Sequence, residues 1–370
     1  MHRFPKPLPW VLLVFLGSRL LIWGAIALVA PHLPLPPTSY DYSIIGFQNG
    51  FTPHTAWSLL THWDGAWYQR IAEQGYGDLR AKGMQSVVFF PLYPLLCRGL
   101  MQLGLSFEVA GSLVSNLSFL AALLLLYGYL EDKYDRTLAR WSTLVLAIFP
   151  CALYSAVTYT ESLFLLTTGA TLIAFDRRQY NQTALWGILA TACRPPGMLL
   201  VPALLWASYR DRRPRIAYLA SLLMALGFVG FLVYCGTLGN PWATFQGHQA
   251  WSESIVSWPE VISRLPHLNS QGIGAWVRLL SFGGALALIL RSPQVLTRSD
   301  RTYGLLTLGF LLASNSTEGL IRYLYALAPL SWALGFQIAR WKPWRSLAIG
   351  IFALGLVGFS LRFAWWLWVA

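Results

Sequence analysis

The sequence predicts an all-α polytopic membrane protein. Three observations carry that prediction. Of 370 residues, 56% are hydrophobic, only 11% are charged, and the apolar residues arrive in long runs parted by short basic loops. A soluble domain carries about 25% charged residues, so this chain has too little polar surface to cover itself. Runs of about 20 apolar residues are what a helix needs to cross the hydrocarbon layer.

Apolar length places spans at 10–31, 109–130, 141–157, 160–176, 216–238, 273–290, 302–314, 322–339 and 346–368. The first run is too long for the apolar core of a cleaved signal and no small-x-small site follows it, so it reads as a span. Two shorter stretches, 183–193 and 196–209, flank Arg194-Pro195-Pro196-Gly197 and read as a broken pair, because proline ends a helix and restricts the residue before it. The total is nine to eleven membrane segments in one domain, 1–370, without an internal repeat.

Charge sets the orientation. With the N-terminus inside, the interior segments hold seventeen basic residues, from Arg3 to Arg345, and the exterior loops hold five: Arg70, Arg80, Lys82, Arg98 and Arg264. Positive residues gather on the cytoplasmic side, which also explains the net charge of +12 without a nucleic-acid partner. The same rule puts 87–104 outside, as a helix on the outer leaflet, since a span there would turn every later basic loop outward. Two large exterior loops result, 32–108 and 239–272.

The candidate chemistry lies in the first of these loops. His62-Trp63-Asp64-Gly65-Ala66-Trp67-Tyr68 sets one carboxylate among aromatics. Aromatics stack on sugar faces and also sit in headgroups, and a carboxylate there can take a proton from an incoming hydroxyl. The string reads equally as an interfacial aromatic belt in which Asp64 caps a helix beginning at Gly65. Glu161, in Tyr159-Thr160-Glu161-Ser162, is the second carboxylate. Acids beside the membrane are rare and costly, hence functional candidates, although Thr160 as a cap and Glu161 in the first turn also suit a plain helix start.

Arg19, Arg194 and Arg322 lie in or against apolar segments. A mid-membrane arginine costs at least ~2.5 kcal/mol, so each needs an anion or carbonyl partner. A lipid-linked phosphate suits a guanidinium, which matches its oxygens in pairs. A structural pair is the simpler reading of Arg19. Phe89-Phe90-Pro91-Leu92-Tyr93-Pro94 is a rigid aromatic stretch, read as interfacial anchoring or as the lining of a groove for an isoprenoid tail. The four cysteines are single and apolar in context, and neither they nor the six histidines show metal-ligand spacing. No cofactor is called for, though a divalent metal is compatible with this chemistry.

Ser18-Arg19, His62-Trp63-Asp64-Gly65 with Gly75-Tyr76, the Phe89 to Pro94 string, Phe149-Pro150, Tyr159 to Phe164, Arg194 to Gly197, and Arg322-Tyr323 with Pro329 follow in that order. The series resembles the GPI mannosyltransferase II (PIG-V-like) family of GT-C glycosyltransferases, in a bacterial version, over about residues 14 to 330. The resemblance implies a GT-C-like helical bundle with a catalytic carboxylate in its first external loop. It also implies an inverting transfer of a hexose, mannose above all, from a polyprenyl-phosphate donor to the hydroxyl of a lipid or glycan acceptor at the outer face of the bacterial inner membrane. The Trp-Asp pair of the family falls on Trp63 and Asp64. Asp64 and Glu161 are then the catalytic candidates, and His62, Trp63, Tyr93, Tyr159, Arg194 and Arg322 the substrate-binding ones. Two positions depart from the family: Arg194-Pro195-Pro196-Gly197 stands for Arg-x-Asn-Gly, and the acidic residue nearest before the Phe89 string is Asp78. The rival class is a transporter or lipid flippase, which also uses broken helices and membrane charges.

Overall fold

The structure is a computed structural model that describes residues 8–29, 32, 58–77, 85–252, 257–267, 269–314, 317–365, 367 and 369. Among the described residues every regular element is helical. The first six helices are α1 (Leu8–Val29), α2 (Asp64–Gln74), α3 (Leu92–Met101), α4 (Phe107–Lys133), α5 (Arg136–Ile148) and α6 (Glu161–Asp176). Next come α7 (Tyr180–Cys193), α8 (Leu200–Arg210), α9 (Arg215–Leu223), α10 (Leu226–Thr237), α11 (Ala243–Ser252) and α12 (Trp258–Arg264). The chain continues through α13 (Ser270–Arg291), α14 (Arg298–Ala313), α15 (Leu320–Tyr325), α16 (Ala328–Arg340) and α17 (Arg345–Ala364).

Among the described residues, five stretches are long and apolar enough to cross a membrane: Leu8–Val29, Phe107–Lys133, Arg215–Thr237, Gln271–Arg291 and Lys342–Ala364. They answer to the spans expected at 10–31, 109–130, 216–238, 273–290 and 346–368. Two expected spans are broken. The run 141–157 is not one helix, because Pro150 follows α5 and turns the chain into a 3-10 segment, Pro150–Ser155. The run 322–339 is two helices, α15 and α16, with Pro329 in the first turn of the second, where a missing amide hydrogen leaves no bond unmade. The break expected at Arg194 is present: the residue takes an extended conformation, φ −156° and ψ 150°, ahead of the 3-10 turn Pro195–Leu199, as a residue before proline prefers. Helix starts carry local caps, Asp135 to the Leu138 amide at 2.8 Å on α5 and a reciprocal Thr297–Asp300 box on α14. Of the expected outer loops, residues 33–57, 78–84, 253–256 and 268 lie outside the described set, and so do Arg3, Lys6, Asp78, Arg80 and Lys82.

The chain divides into two compact units. The first combines 1–77, 91–163 and 338–369. In it α1 packs against α4, α5 and α17, while α3 joins α2 to α4. Helix α1 buries Val11, Ile22, Ala25 and Ile26 and leaves Leu13, Leu16, Leu20 and Leu28 exposed, the outward apolar face that lipid covers. The second unit combines 78–90 with 164–337. In it α7 and α8 both pack on α9, α7 also on α10, and α14 lies against α8 and α13.

Candidate functional site

In the first unit two motifs far apart in sequence are stitched into one structure. The Thr158 amide donates to the Leu60 carbonyl at 3.2 Å. Its hydroxyl lies 3.0 Å from the same carbonyl and 3.1 Å from the Thr61 hydroxyl. The Tyr159 hydroxyl donates to the His62 carbonyl at 3.2 Å, and Tyr68 and Thr160 share a hydroxyl contact of 3.2 Å. All these groups are buried, so each bond also removes the penalty of an unpaired polar atom. Two glycines make the close approach fit. A Cβ on Gly65 would lie 2.5 Å from the Thr158 hydroxyl oxygen, and one on Gly111 would lie 2.9 Å from its methyl carbon.

The stitching places both candidate acids at helix starts. Asp64 opens α2 and Glu161 opens α6, where the positive end of the helix dipole favours a carboxylate. The helix at the first motif begins at Asp64 itself, with Trp63 as the residue before it. Asp64 is therefore not the cap of a helix starting at Gly65. Asp64 and Trp63 are half-buried, whereas Glu161 is buried. Trp63 has φ 54° and ψ −121°, the values of the first central residue of a type II′ turn, a place for glycine. The turn closes through Gly65 amide to His62 carbonyl at 3.1 Å. A bulky residue held there stores about 1–3 kcal/mol of backbone strain, over-ruled by the buried bonds on either side.

His62, expected to bind substrate, is fully buried. Its ring stacks on Phe363 at 3.9 Å between centroids, and its Nε2 donates to the Phe363 carbonyl at 3.0 Å. This packing makes it a strut between the loop and α17. Burial lowers its pKa from 6.5 to about 3, against the smaller raising effect of the Phe363 carbonyl. Tyr93 is likewise buried: its hydroxyl donates to the Gly111 carbonyl at 2.9 Å and meets the Ser115 hydroxyl at 3.0 Å. Ser115 in turn donates to the Tyr159 carbonyl at 3.0 Å. Tyr93 and Tyr159 thus brace the 154–162 segment from behind. Phe363 meets Tyr154 and Tyr159 edge-on, and the Tyr154 hydroxyl donates to the Val369 carbonyl.

The other two candidates belong to the second unit. Arg194 lies over the rings of Phe164 and Tyr323, with its guanidinium carbon 5.7 and 5.1 Å from their centroids. Arg322, 4% exposed, lies over the same Tyr323 ring at 5.2 Å. Both guanidiniums lie against the Tyr323 ring, whose negative quadrupole favours a cation. Gly197 is required beside them, because a Cβ there would sit 2.3 Å from the Ala190 carbonyl oxygen. Among the described residues no group of three or more His, Cys, Asp or Glu side chains is set to hold a metal. The sequence reading missed Thr158, Gly111, Phe363 and Tyr323. Only Tyr323 had a signal, its place beside Arg322.

The family described as mannosyltransferase (PIG-V) matches residues 27–252. No curated protein matches the chain. Among solved structures it is similar to an oligosaccharyltransferase of Archaeoglobus fulgidus in complex with zinc and sulfate, with 15% identity and a TM-score of 0.42. That match covers 75% of this chain and 44% of the other, so the chain spans less than half the length of that protein.

Two outcomes are expected. The unfolded chain protonates His62 below about pH 6.5 and the folded chain does not until about pH 3. Its contribution to stability is whole above 6.5 and falls with pH in that window, by up to about 1.4 kcal/mol per unit. The melting temperature of purified protein should therefore drop less between pH 7 and pH 5 in His62→Gln than in the wild type, and equal drops would exclude this residue as the source. Trp63→Gly should melt above Trp63→Ala, by about 1 kcal/mol in stability, because glycine alone relaxes the positive φ. Equal melting would mean the turn is not strained.

Proposed function

Because the chain belongs to the mannosyltransferase (PIG-V) family and is a membrane glycosyltransferase, we propose that it moves a hexose, mannose by that membership, from a polyprenyl-phosphate donor to an acceptor hydroxyl on a lipid or glycan. The transfer takes place at the outer face of a bacterial inner membrane, with inversion at the anomeric carbon.

The observation that carries the reading is the pair of acids at the first turns of α2 and α6, held together by buried bonds between Leu60–Tyr68 and Thr158–Thr160. Asp64, half-buried at the start of α2, takes the proton of the acceptor hydroxyl. The oxygen then bonds to the anomeric carbon from the side opposite the phosphate. The carbon–phosphate oxygen bond breaks, and polyprenyl phosphate leaves with that electron pair. Glu161 orients the acceptor or shares the base role. Arg194 and Arg322, gathered on one tyrosine of the second unit, are the anion-binding candidates. Trp63 stacks on the sugar, while His62, Tyr93 and Tyr159 act by holding the loop. The rival reading, a transporter or flippase, has no comparable support, since family membership points to transfer chemistry.

Asp64→Asn, given a polyprenyl-phosphate mannose donor, should lose about 10²–10⁴-fold in kcat, and unimpaired transfer would remove Asp64 from the base role. The orientation has its own check. The four native cysteines are free and buried, so single thiols can be labelled cleanly. Glu73→Cys should react with a membrane-impermeant maleimide on intact spheroplasts and Arg212→Cys only after lysis. The reverse pattern would put the site in the cytoplasm.

A further inference from the structure

Arg19 is a strong unexplained charge in the first unit. It sits midway along α1, 4% exposed, with Phe15 and Phe119 rings 5.1 and 4.7 Å from its guanidinium carbon. One terminal nitrogen donates to the Asn116 side-chain oxygen and to the Ser155 carbonyl, both at 2.9 Å. The other donates to the Ser155 hydroxyl at 2.7 Å. Ser18, one residue back on the same helix, accepts from Nε and from that second nitrogen at 3.3 Å.

These acceptors lie beside the start of α6. Ser155 ends the 3-10 segment that follows α5, and its carbonyl also accepts from the Ser162 hydroxyl at 3.3 Å. Ser162 is the second residue of α6, next to Glu161. Asn116 reaches forward as well, donating to the Ala156 carbonyl at 3.3 Å and to the Ser112 carbonyl at 2.8 Å. The six residues from Ala156 to Glu161 therefore run between Ser155, which the guanidinium holds, and Ser162, which shares the Ser155 carbonyl. They include Thr158, Tyr159 and Thr160, which hold the Asp64 loop. An arginine kept only for packing would need carbonyl partners anywhere along its path. This one takes its carbonyl partner on Ser155, where the 3-10 turn leads into the segment before Glu161, and a planar fork of donors fixes that residue in direction as well as position.

We infer that Arg19 is a positioning residue for transfer: through Ser155 and Asn116 it fixes the 155–162 segment from which Glu161 starts and against which the Asp64 loop is braced. The inference rests on the proposed roles of Asp64 and Glu161. Lysine offers a single point charge on a flexible stem and cannot serve the same acceptors in one plane.

The test uses the purified full chain and has two readouts. In Arg19→Met, hydrogen–deuterium exchange of the 156–164 amides should quicken about tenfold while exchange in α13 stays as in the wild type. With polyprenyl-phosphate mannose as donor and a cell lipid extract as acceptor, kcat should fall about a hundredfold, with the donor KM within about threefold, as a small misplacement of reacting groups predicts. Arg19→Lys should share the loss, and added guanidinium should restore part of the kcat of Arg19→Ala. Ser155→Ala, which removes one hydroxyl, should show the same exchange change in smaller measure if Arg19→Met does not fold. Unchanged exchange at 156–164, or quickened exchange with wild-type kcat, overturns the inference by itself. Retained transfer in Asp64→Asn is a different failure, that of the base assignment, and leaves the exchange result standing.

Discussion

The buried hydrogen bonds between the Leu60–Tyr68 and Thr158–Thr160 segments are the constraint on which the candidate site depends. Neither segment is regular enough to hold itself. One contains a tryptophan in a turn position made for glycine, and the other lies between a 3-10 turn and a helix start. Each supplies the partners the other lacks. In a low-dielectric interior such bonds are strong and an unmade one is expensive, so the two segments order together. The absence of side chains at Gly65 and Gly111 lets Thr158 reach in from between them.

The structure handles charge by the same logic on both signs. The two carboxylates take helix starts, where amide hydrogens and the dipole favour them. The arginines in apolar surroundings take aromatic faces and oxygen acceptors: Arg19 has Phe15, Phe119, Asn116 and Ser155, and Arg194 and Arg322 have Tyr323. Burying a charge is costly unless it is paired and bonded, and each of these positions answers part of that cost locally. The histidine is treated differently. The Phe363 carbonyl favours a proton on His62, but burial outweighs it and keeps the ring neutral where it stacks on Phe363.

How much of this was legible depended on distance along the chain. Apolar length alone located α1, α4, α13 and α17 and the α9–α10 pair, because lipid demands about 20 apolar residues whatever the tertiary structure. Pro195 and Pro196 marked the break at Arg194. Pro150 and Pro329 carried the same signal, yet the apolar runs around them were long enough to read as spans, and length outweighed the local chemistry. Asp64 and Glu161 stood out as acids in an apolar chain. The bracing roles of His62 and Tyr93 did not, since an aromatic beside a membrane loop looks alike whether it faces a sugar or a neighbouring helix. His62 finds Phe363 across 301 residues and Thr158 finds Thr61 across 97. No periodicity reports pairings of that kind.

The different burial of the two acids fits the separate roles proposed for them. A base for an incoming hydroxyl has to be met by that hydroxyl, so it needs an open side as well as a fixed one. Asp64 has both: it is half-buried, and the chain on either side of it is pinned through His62, Gly65 and Tyr68. Glu161 is 1% exposed and follows a threonine that is itself bonded to Tyr68. A carboxylate so enclosed is better placed to aim a neighbour than to receive a proton from an arriving substrate. Tyr68 lies one turn after Asp64 on α2 and its hydroxyl meets that of Thr160, the residue before Glu161, so one contact links the two helix starts.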